Sequence, residues 1–199
     1  KSEFRKSATE GLRVLGTGGR MSIFRKFDRT EYGGQRTGHN LNPIGVRFIA
    51  VDSAKEMETA ILDESSDADI LIMAAAVSDW TPINPHDQKM KKGTDDSLEI
   101  KLVKTSDILA ALIDNDNLIK VGFAAETENL VINARKKLVE KNLDIIAAND
   151  ITIEGSGFES DNNKITLFDN RGGVEELGVL TKYQASIRIL DKIKTIIDS

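Results

Sequence analysis

The strongest constraint on the fold is an uninterrupted apolar run from Ile70 to Val77, eight residues long. The run is too short to cross a bilayer, which needs roughly 20 apolar residues. A run of this length is typical of a strand buried on both faces, as in a parallel sheet covered by helices. The sequence therefore predicts that this segment lies at the centre of an α/β domain.

Strand and helix patterns alternate on both sides of that run, which predicts a Rossmann-like three-layer α/β fold with a mainly parallel sheet. No linker divides the chain, so we expect one domain over residues 1–199, with residues 1–45 atypical. Residues 12–14 should form a brief strand that enters a glycine turn. The other expected strands cover 46–51, 69–77, 98–103, 119–124, 144–148 and 164–168, and the expected helices cover 54–62, 106–114, 128–141 and 181–197.

Composition removes several classes of function. The 199 residues include no cysteine, which excludes a disulfide scaffold, an iron–sulfur cluster, a thiolate zinc site and a cysteine nucleophile within them. The two histidines, His39 and His86, are too few for a histidine metal cage. No signal peptide opens the sequence, and the absence of an apolar span predicts a cytoplasmic protein without a membrane segment.

The net charge of −5 is unevenly distributed. Residues 1–50 contain ten Lys and Arg against four Asp and Glu, whereas residues 51–199 contain seventeen against twenty-eight. The basic quarter indicates either an anion-binding end or a poorly ordered leader. We expect no nucleic-acid partner for this acidic chain.

Ligands of such sheets bind beyond the carboxyl ends of the strands, here residues 16–20, 78–92, 124–128 and 149–162. The cluster from Gly16 to Gly19 is either a phosphate cradle or an ordinary turn. Small side chains at Ala74–Ala76 would let a planar ring approach the backbone, or would allow tight helix packing. Asp79 could hold a ribose hydroxyl or Mg²⁺, or cap a turn.

Three further features belong to the same predicted edge. Lys89, Lys91 and Lys92 could meet a triphosphate, or form a solvated charge run. Phe123 could stack on a base, although an aromatic residue at a strand end is usually core. The pair Asn149-Asp150 could bind polar ligand groups or cap a turn.

Several motifs, taken in order, resemble phosphopantothenate–cysteine ligase of the bacterial type, the C-terminal half of the bifunctional coenzyme A biosynthesis flavoprotein. The resemblance is collinear over residues 46–199. The motifs are AAAVSDW (74–80), KMKK (89–92), KLVKTSDIL (101–109), VGFAAET (121–127), ARKKLVEKNLDIIAAND (134–150) and GFESDNNKITLF (157–168).

The resemblance implies a ligase that uses CTP and Mg²⁺ to convert the carboxylate of 4′-phosphopantothenate into an acyl-cytidylate. The amine of cysteine then displaces CMP. It also implies a homodimer, and a flavin-dependent decarboxylase domain fused to the ligase or partnered with it.

Residue roles follow from the same resemblance. Lys89 matches the essential lysine of the K-x-K-K loop, and Asp79 matches the acidic residue beside the nucleotide and the metal. Residues 91–98 match a flap over the site. The matches to the nucleotide pocket are Ala75, Ala76 and Phe123.

The N-terminal quarter departs from the family pattern. Gly18 and Gly19 are a possible remnant of its first nucleotide-binding turn, and Asn40 is the candidate for the asparagine that holds the acyl-cytidylate. The chain between Asn40 and Val46 is too short for the helix and strand that the family has there.

Two other functions remain open on the sequence. One is an NAD(P)-linked α/β oxidoreductase that uses Gly16–Gly19, with Glu31 as the acidic residue about 20 positions on. The other is a non-catalytic nucleotide-binding module.

Overall fold

A computed structural model describes residues 14–18, 22–26, 46–85, 88, 97–152 and 162–199. Its strands are β1 (Val14–Gly18), β2 (Ser22–Lys26), β3 (Val46–Ala50), β4 (Ile70–Met73), β5 (Trp80–Pro82), β6 (Leu102–Lys104), β7 (Ile119–Glu126), β8 (Ile145–Asp150), β9 (Asn162–Asp169) and β10 (Val174–Thr181). Its helices are α1 (Ala54–Ser65), α2 (Leu130–Glu140) and α3 (Lys182–Ile197), with a single 3₁₀ turn at Ala110–Leu112.

Eight of these strands form one sheet, in the order β10-β9-β8-β7-β4-β1-β2-β3. The four central strands β1, β4, β7 and β8 run parallel to one another. The flanking pairs β8–β9, β9–β10, β1–β2 and β2–β3 are antiparallel. The predicted α/β class is confirmed, with the parallel arrangement concentrated at the centre of the sheet.

Helices cover both faces of the sheet, as the buried run predicted. On one face, Met57 and Ile61 of α1 and Leu138 of α2 pack against alternate strand residues such as Leu71. On the other face, α3 contributes Ala185, Ile189 and Ile193. We call these the α1/α2 face and the α3 face. Each fully buried aliphatic side chain contributes about 1.5–3 kcal/mol to stability.

Local capping explains where two of the helices begin. The Ser53 hydroxyl accepts a hydrogen bond from the Glu56 N–H at the start of α1. At α3, Thr181 and Gln184 form a reciprocal capping box, in which each side chain accepts a bond from the other residue's backbone N–H. Both caps agree with the predicted starts. No described helix is long and apolar enough to span a membrane.

Two expected elements differ from the structure. The helix expected over residues 106–114 is only a 3₁₀ turn, whose first N–H, that of Ala110, bonds to the Asp107 carboxylate. The glycine turn expected from Gly16 lies instead within a strand, since Gly16 pairs with both Phe24 and Ile72. Backbone groups used in two strand ladders are not free to cradle a phosphate. Strands β2, β5 and β10 were not expected.

Candidate functional site

The parallel strands bring the predicted segments to one edge of the sheet. Met73, near the end of β4, lies in register with Thr17 of β1 and with Gly122 of β7. Further along, Glu126 of β7 lies beside Asp150 of β8. Residues 123–126 and 149–152 therefore lie side by side at this edge, and residues 74–79 leave β4 there. We call it the carboxyl edge.

Of the small side chains that follow β4, one packs against the core and another is exposed to solvent. Ala75 is partly buried and packs against the α1/α2 face, so it serves the tight packing that the sequence allowed. Ala76 is exposed. A flat group can therefore approach the backbone at Ala76 without displacing a larger side chain.

Asp79 presents a carboxylate at the carboxyl edge. The residue is exposed, and its side chain has no hydrogen-bond or ion-pair partner in the part of the chain that the structure describes. Its backbone carbonyl accepts a bond from the Thr105 N–H at 2.9 Å. The local turn is made by Ser78, whose hydroxyl donates to the Trp80 carbonyl at 2.9 Å. None of the described residues thus occupies the carboxylate of Asp79.

Phe123 supplies an aromatic surface beside these groups. The residue is 38% exposed, although it lies within a strand whose neighbours are mostly buried. It is in register with Ala147, and Ala125 is in register with Asn149. Because Ala147 belongs to the α3 face, Phe123, Ala125 and Asn149 share that face. The small alanines leave room for a ring to stack on Phe123.

Asn149 and Asp150 have different local roles. Asp150 accepts hydrogen bonds from the N–H and the hydroxyl of Thr152, at 3.1 and 2.6 Å. These bonds lower the pKa of Asp150, and the arrangement agrees with the turn-capping interpretation. The Oδ1 atom of Asn149 is buried and has no partner in the described ranges. Of the pair, Asn149 therefore has the unused hydrogen-bonding capacity.

Glu126 is occupied by the helix that follows it. Its carboxylate accepts bonds from Asn133 at 2.9 Å and from Lys137 at 2.7 Å. Both partners lie on α2, so these contacts fix the start of that helix against the end of β7. Glu126 acts in positioning the carboxyl edge, and its charge is already neutralised.

A second polar contact, which the sequence gave no sign of, holds the segment after β6 in place. Glu58 of α1 is buried and accepts bonds from Ser106 at 2.7 Å and Lys55 at 2.9 Å. The bond from Lys55 is the main reason that the pKa of Glu58 is lowered, followed by the bond from Ser106. The 48 positions between Glu58 and Ser106 explain why no local pattern revealed the contact.

A cavity of about 450 Å³ lies beside the β5–β6 hairpin. Its lining residues are Pro82, Ile83, Asn84, Pro85, Gln88, Glu99, Ile100 and Lys101.

Other predicted site residues lie outside the described residues. These are Lys89, Asn40 and Gly19, together with residues 91–96 of the expected flap. Gly18 is described, and it ends β1 opposite Ser22 of β2. No group of three or more metal-binding side chains occurs within the described ranges.

Comparison with known proteins places the chain in a family. The model of the DNA/pantothenate metabolism flavoprotein C-terminal domain matches residues 36–197, a range that includes Asn40 and excludes Gly18 and Gly19. The Coenzyme A biosynthesis bifunctional protein CoaBC of Vibrio vulnificus is 42% identical over 157 residues, which is 77% of this chain and 39% of that protein. Its Bacillus subtilis counterpart is 44% identical over 147 residues, or 73% and 36%.

A solved structure agrees with these relatives. The crystal structure of the C-terminal domain of CoaBC superimposes with a TM-score of 0.61 and 34% identity, covering 75% of this chain and 65% of that one. The chain thus spans less than two fifths of the full length of the two CoaBC proteins, and the resemblance to their C-terminal half is confirmed. The chain belongs to the family of the DNA/pantothenate metabolism flavoprotein C-terminal domain.

Proposed function

We propose that this chain is the ligase part of a coenzyme A biosynthesis enzyme, and that it joins 4′-phosphopantothenate to cysteine with CTP. Family membership and the coenzyme A biosynthesis function of the CoaBC relatives support the pathway. The observation that supports the proposal is that the segments holding Ala76, Asp79 and Phe123 follow or end neighbouring parallel strands, with the Asp79 carboxylate unpaired among the described residues.

The reaction has two displacements. A carboxylate oxygen of 4′-phosphopantothenate attacks the α-phosphorus of CTP, and pyrophosphate leaves. The amine of cysteine then attacks the acyl carbon and CMP leaves, while the amine proton passes to solvent or to the departing phosphate. Neither step needs a thiol or an imidazole from the enzyme, which agrees with a chain that has no cysteine and two histidines.

The residues have distinct roles in this proposal. Phe123 and the small side chain of Ala76 would hold the cytosine, and Ala75, whose side chain packs on the α1/α2 face, would contribute through its backbone. Lys89 would stabilise negative charge on the phosphates as the acyl-cytidylate forms. Asn40 would hold that intermediate. Gly18 and Gly19 would lie near the phosphates, although the strand pairing of Gly18 limits its contribution.

A magnesium ion fits the donor set at this edge. Mg²⁺ is commonly held by one or two carboxylates together with substrate phosphates, so a cluster of three protein ligands is not required. Asp79 would supply that carboxylate. When bound, the ion would supply positive charge to the triphosphate.

Pyrophosphate release tests the proposal. Release should require CTP and 4′-phosphopantothenate together, and Lys89→Gln should reduce it by about 10²-fold or more, as for a lost electrostatic contact. Lys194→Gln is the matched control, since Lys194 is exposed in the last turn of α3. Folded protein without such release, or a Lys89→Gln variant with full activity, would refute the ligase function.

The alternatives give different results in the same assay. An oxidoreductase would oxidise NADPH, but β1 leads into β2 rather than into the helix that a dinucleotide fingerprint requires. A non-catalytic module would bind CTP without turnover. Neither alternative produces pyrophosphate.

A second copy of this chain is the partner that the β5–β6 hairpin fits. All six residues of the two strands are exposed, including Trp80 at 51% and Leu102 at 50%. Trp80 pairs with Lys104, and Pro82 pairs with Leu102, so Trp80 and Leu102 share one face. An isolated two-stranded sheet is marginally stable in water, and an apolar face shared with an identical copy would stabilise it.

Sedimentation measurements test this homodimer. Leu102→Asp should shift the chain towards monomer, whereas Val139→Asp on α2, which is 76% exposed, should not. A wild-type chain that stays monomeric at high concentration would contradict the dimer.

The bifunctional relatives suggest a further partner. Because the chain spans less than two fifths of their length, we propose that a flavin-dependent decarboxylase domain accompanies it, either fused or as a separate protein. A cytoplasmic location remains part of the same proposal.

A further inference from the structure

Asn163 lies at the carboxyl edge, although it belongs to a flanking strand. Strand β9 runs antiparallel to β8, with Asn149 in register with Ile165. Asn163 is therefore two residues nearer to the carboxyl edge than Ile165, the residue opposite Asn149. Residues that alternate with it, Ile165 and Leu167, pack on the α3 face. By the same alternation, Asn163 lies on the face that carries Phe123 and Asn149.

The side-chain carbonyl of Asn163 has no partner among the residues that the structure describes. Its Oδ1 atom is buried and receives no hydrogen bond from them, and the same holds for Oδ1 of Asn149. Buried polar atoms are nearly always hydrogen-bonded in folded proteins, so two unpaired acceptors on neighbouring strands require an explanation. Both residues remain partly exposed, so a small rotation of either amide would present it to a ligand at the edge.

We propose that Asn163, together with Asn149, accepts hydrogen bonds from a primary amino group of a substrate. An acceptor pair selects a donor, and a phosphate or a carboxylate would not satisfy it. The inference rests on the proposed function, in which two substrates carry such a group: the exocyclic amine of cytosine and the amine of cysteine. Phe123, on the same face, lies one strand and two positions from Asn149 and would stack on a planar aminopyrimidine there.

Substitutions of Asn163 separate recognition from structure. Asn163→Leu removes the acceptor at similar volume, whereas Asn163→Asp retains an acceptor. Thr166→Val is the matched control, because Thr166 lies on the same strand and points towards the other face. The melting temperature of Asn163→Leu should be unchanged or higher, since the substitution replaces an unpaired buried carbonyl with an apolar group.

Binding of CTP and UTP by calorimetry, with the KM for cysteine from pyrophosphate-coupled turnover, provides the readout. We expect Asn163→Leu either to weaken CTP binding or to raise the KM for cysteine, by about tenfold. Asn163→Asp should change the same quantity by less. Weaker CTP binding with unchanged UTP binding identifies the aminopyrimidine as the donor. A raised KM for cysteine with an unchanged preference for CTP over UTP identifies the amino acid.

Two results would overturn the inference. One is an Asn163→Leu variant that binds CTP and uses cysteine as the wild type does. The other is an equal loss in Asn163→Leu and Thr166→Val, which would indicate a general effect on the strand. Either result leaves the ligase function standing when the wild type releases pyrophosphate. A wild type that neither binds CTP nor releases pyrophosphate refutes the proposed function itself.

Discussion

Lys120 is a lysine in the protein core, and its replacement tests what holds the amino end of β7. The residue is 2% exposed. Its Nζ donates to the carbonyl oxygens of Leu112 and Ile113 at 3.0 and 3.2 Å. Each carbonyl also has another donor, the N–H of Asn115 at 3.1 Å and Nδ2 of Asn142 at 2.8 Å. Removing the ammonium therefore leaves neither carbonyl unpaired.

The expected magnitudes differ sharply between two variants. Lys120→Met keeps most of the side-chain volume but loses two hydrogen bonds from a charged donor. It also avoids the cost of burying an ammonium group, which is several kcal/mol. These effects nearly cancel, so we expect a change within about 1 kcal/mol in the free energy of unfolding. Lys120→Ala removes three buried methylenes at about 0.8 kcal/mol each and leaves a cavity, which together cost about 3–4 kcal/mol.

The pH dependence gives a second test of the same residue. Burial lowers the pKa of Lys120 below its ordinary 10.5, against the opposing attraction of Asp144. In the window between the lowered pKa and 10.5, the unfolded chain binds more protons than the folded one, so stability rises with pH. The free energy of unfolding of wild type minus that of Lys120→Met should therefore be constant below the lowered pKa and increase as the pH rises from there to 10.5.

Urea unfolding at pH 7 and at alkaline pH measures both effects. The reasoning is refuted if Lys120→Met is as unstable as Lys120→Ala at pH 7. It is also refuted if the difference between wild type and Lys120→Met falls as the pH rises.

Three further predictions concern packing and the site. Ser106→Ala should lower the free energy of unfolding by about 1 kcal/mol at pH 7. Because the pKa of Glu58 is lowered in the folded state, this difference from wild type should shrink as acid protonates that carboxylate. Gly122→Ala should cost about 1–3 kcal/mol in urea unfolding, since the added Cβ would lie 2.6 Å from a methyl of Leu143; an unchanged midpoint would contradict this packing. Phe123→Ala should weaken CTP binding by about 1–3 kcal/mol in calorimetry and barely change the melting temperature; undiminished binding would exclude stacking there.

The parts of the fold that could be predicted from sequence are those encoded by local periodicity. The apolar runs at 70–77 and 145–148 identified the central strands β4 and β8, because a strand buried on both faces has no polar alternation. The spacing of Ile187, Leu190, Ile193 and Ile197 identified α3. The convergence of the strand ends then followed from parallel topology alone.

The features that sequence did not reveal depend on contacts between distant segments. Gly16 reads locally as a turn residue, yet pairing on both sides keeps it in a strand. Lys120 reads as a surface residue, yet the carbonyls of the 3₁₀ turn bind it in the core. The Oδ1 atom of Asn163, which has no partner among the described residues, is recognised only when β8 and β9 lie side by side. The organisation of residues 1–199 as one domain remains a prediction.

The central claim is that CTP binds at the carboxyl edge, and backbone NMR during titration with CTP and Mg²⁺ tests it most directly. The account predicts saturable shifts at residues 74–79, 122–126 and 149–152. Residues 114–118 and 142–144, at the opposite edge of the sheet, should not move. Saturable shifts confined to that opposite edge, or none at the carboxyl edge in a folded chain, would contradict the account.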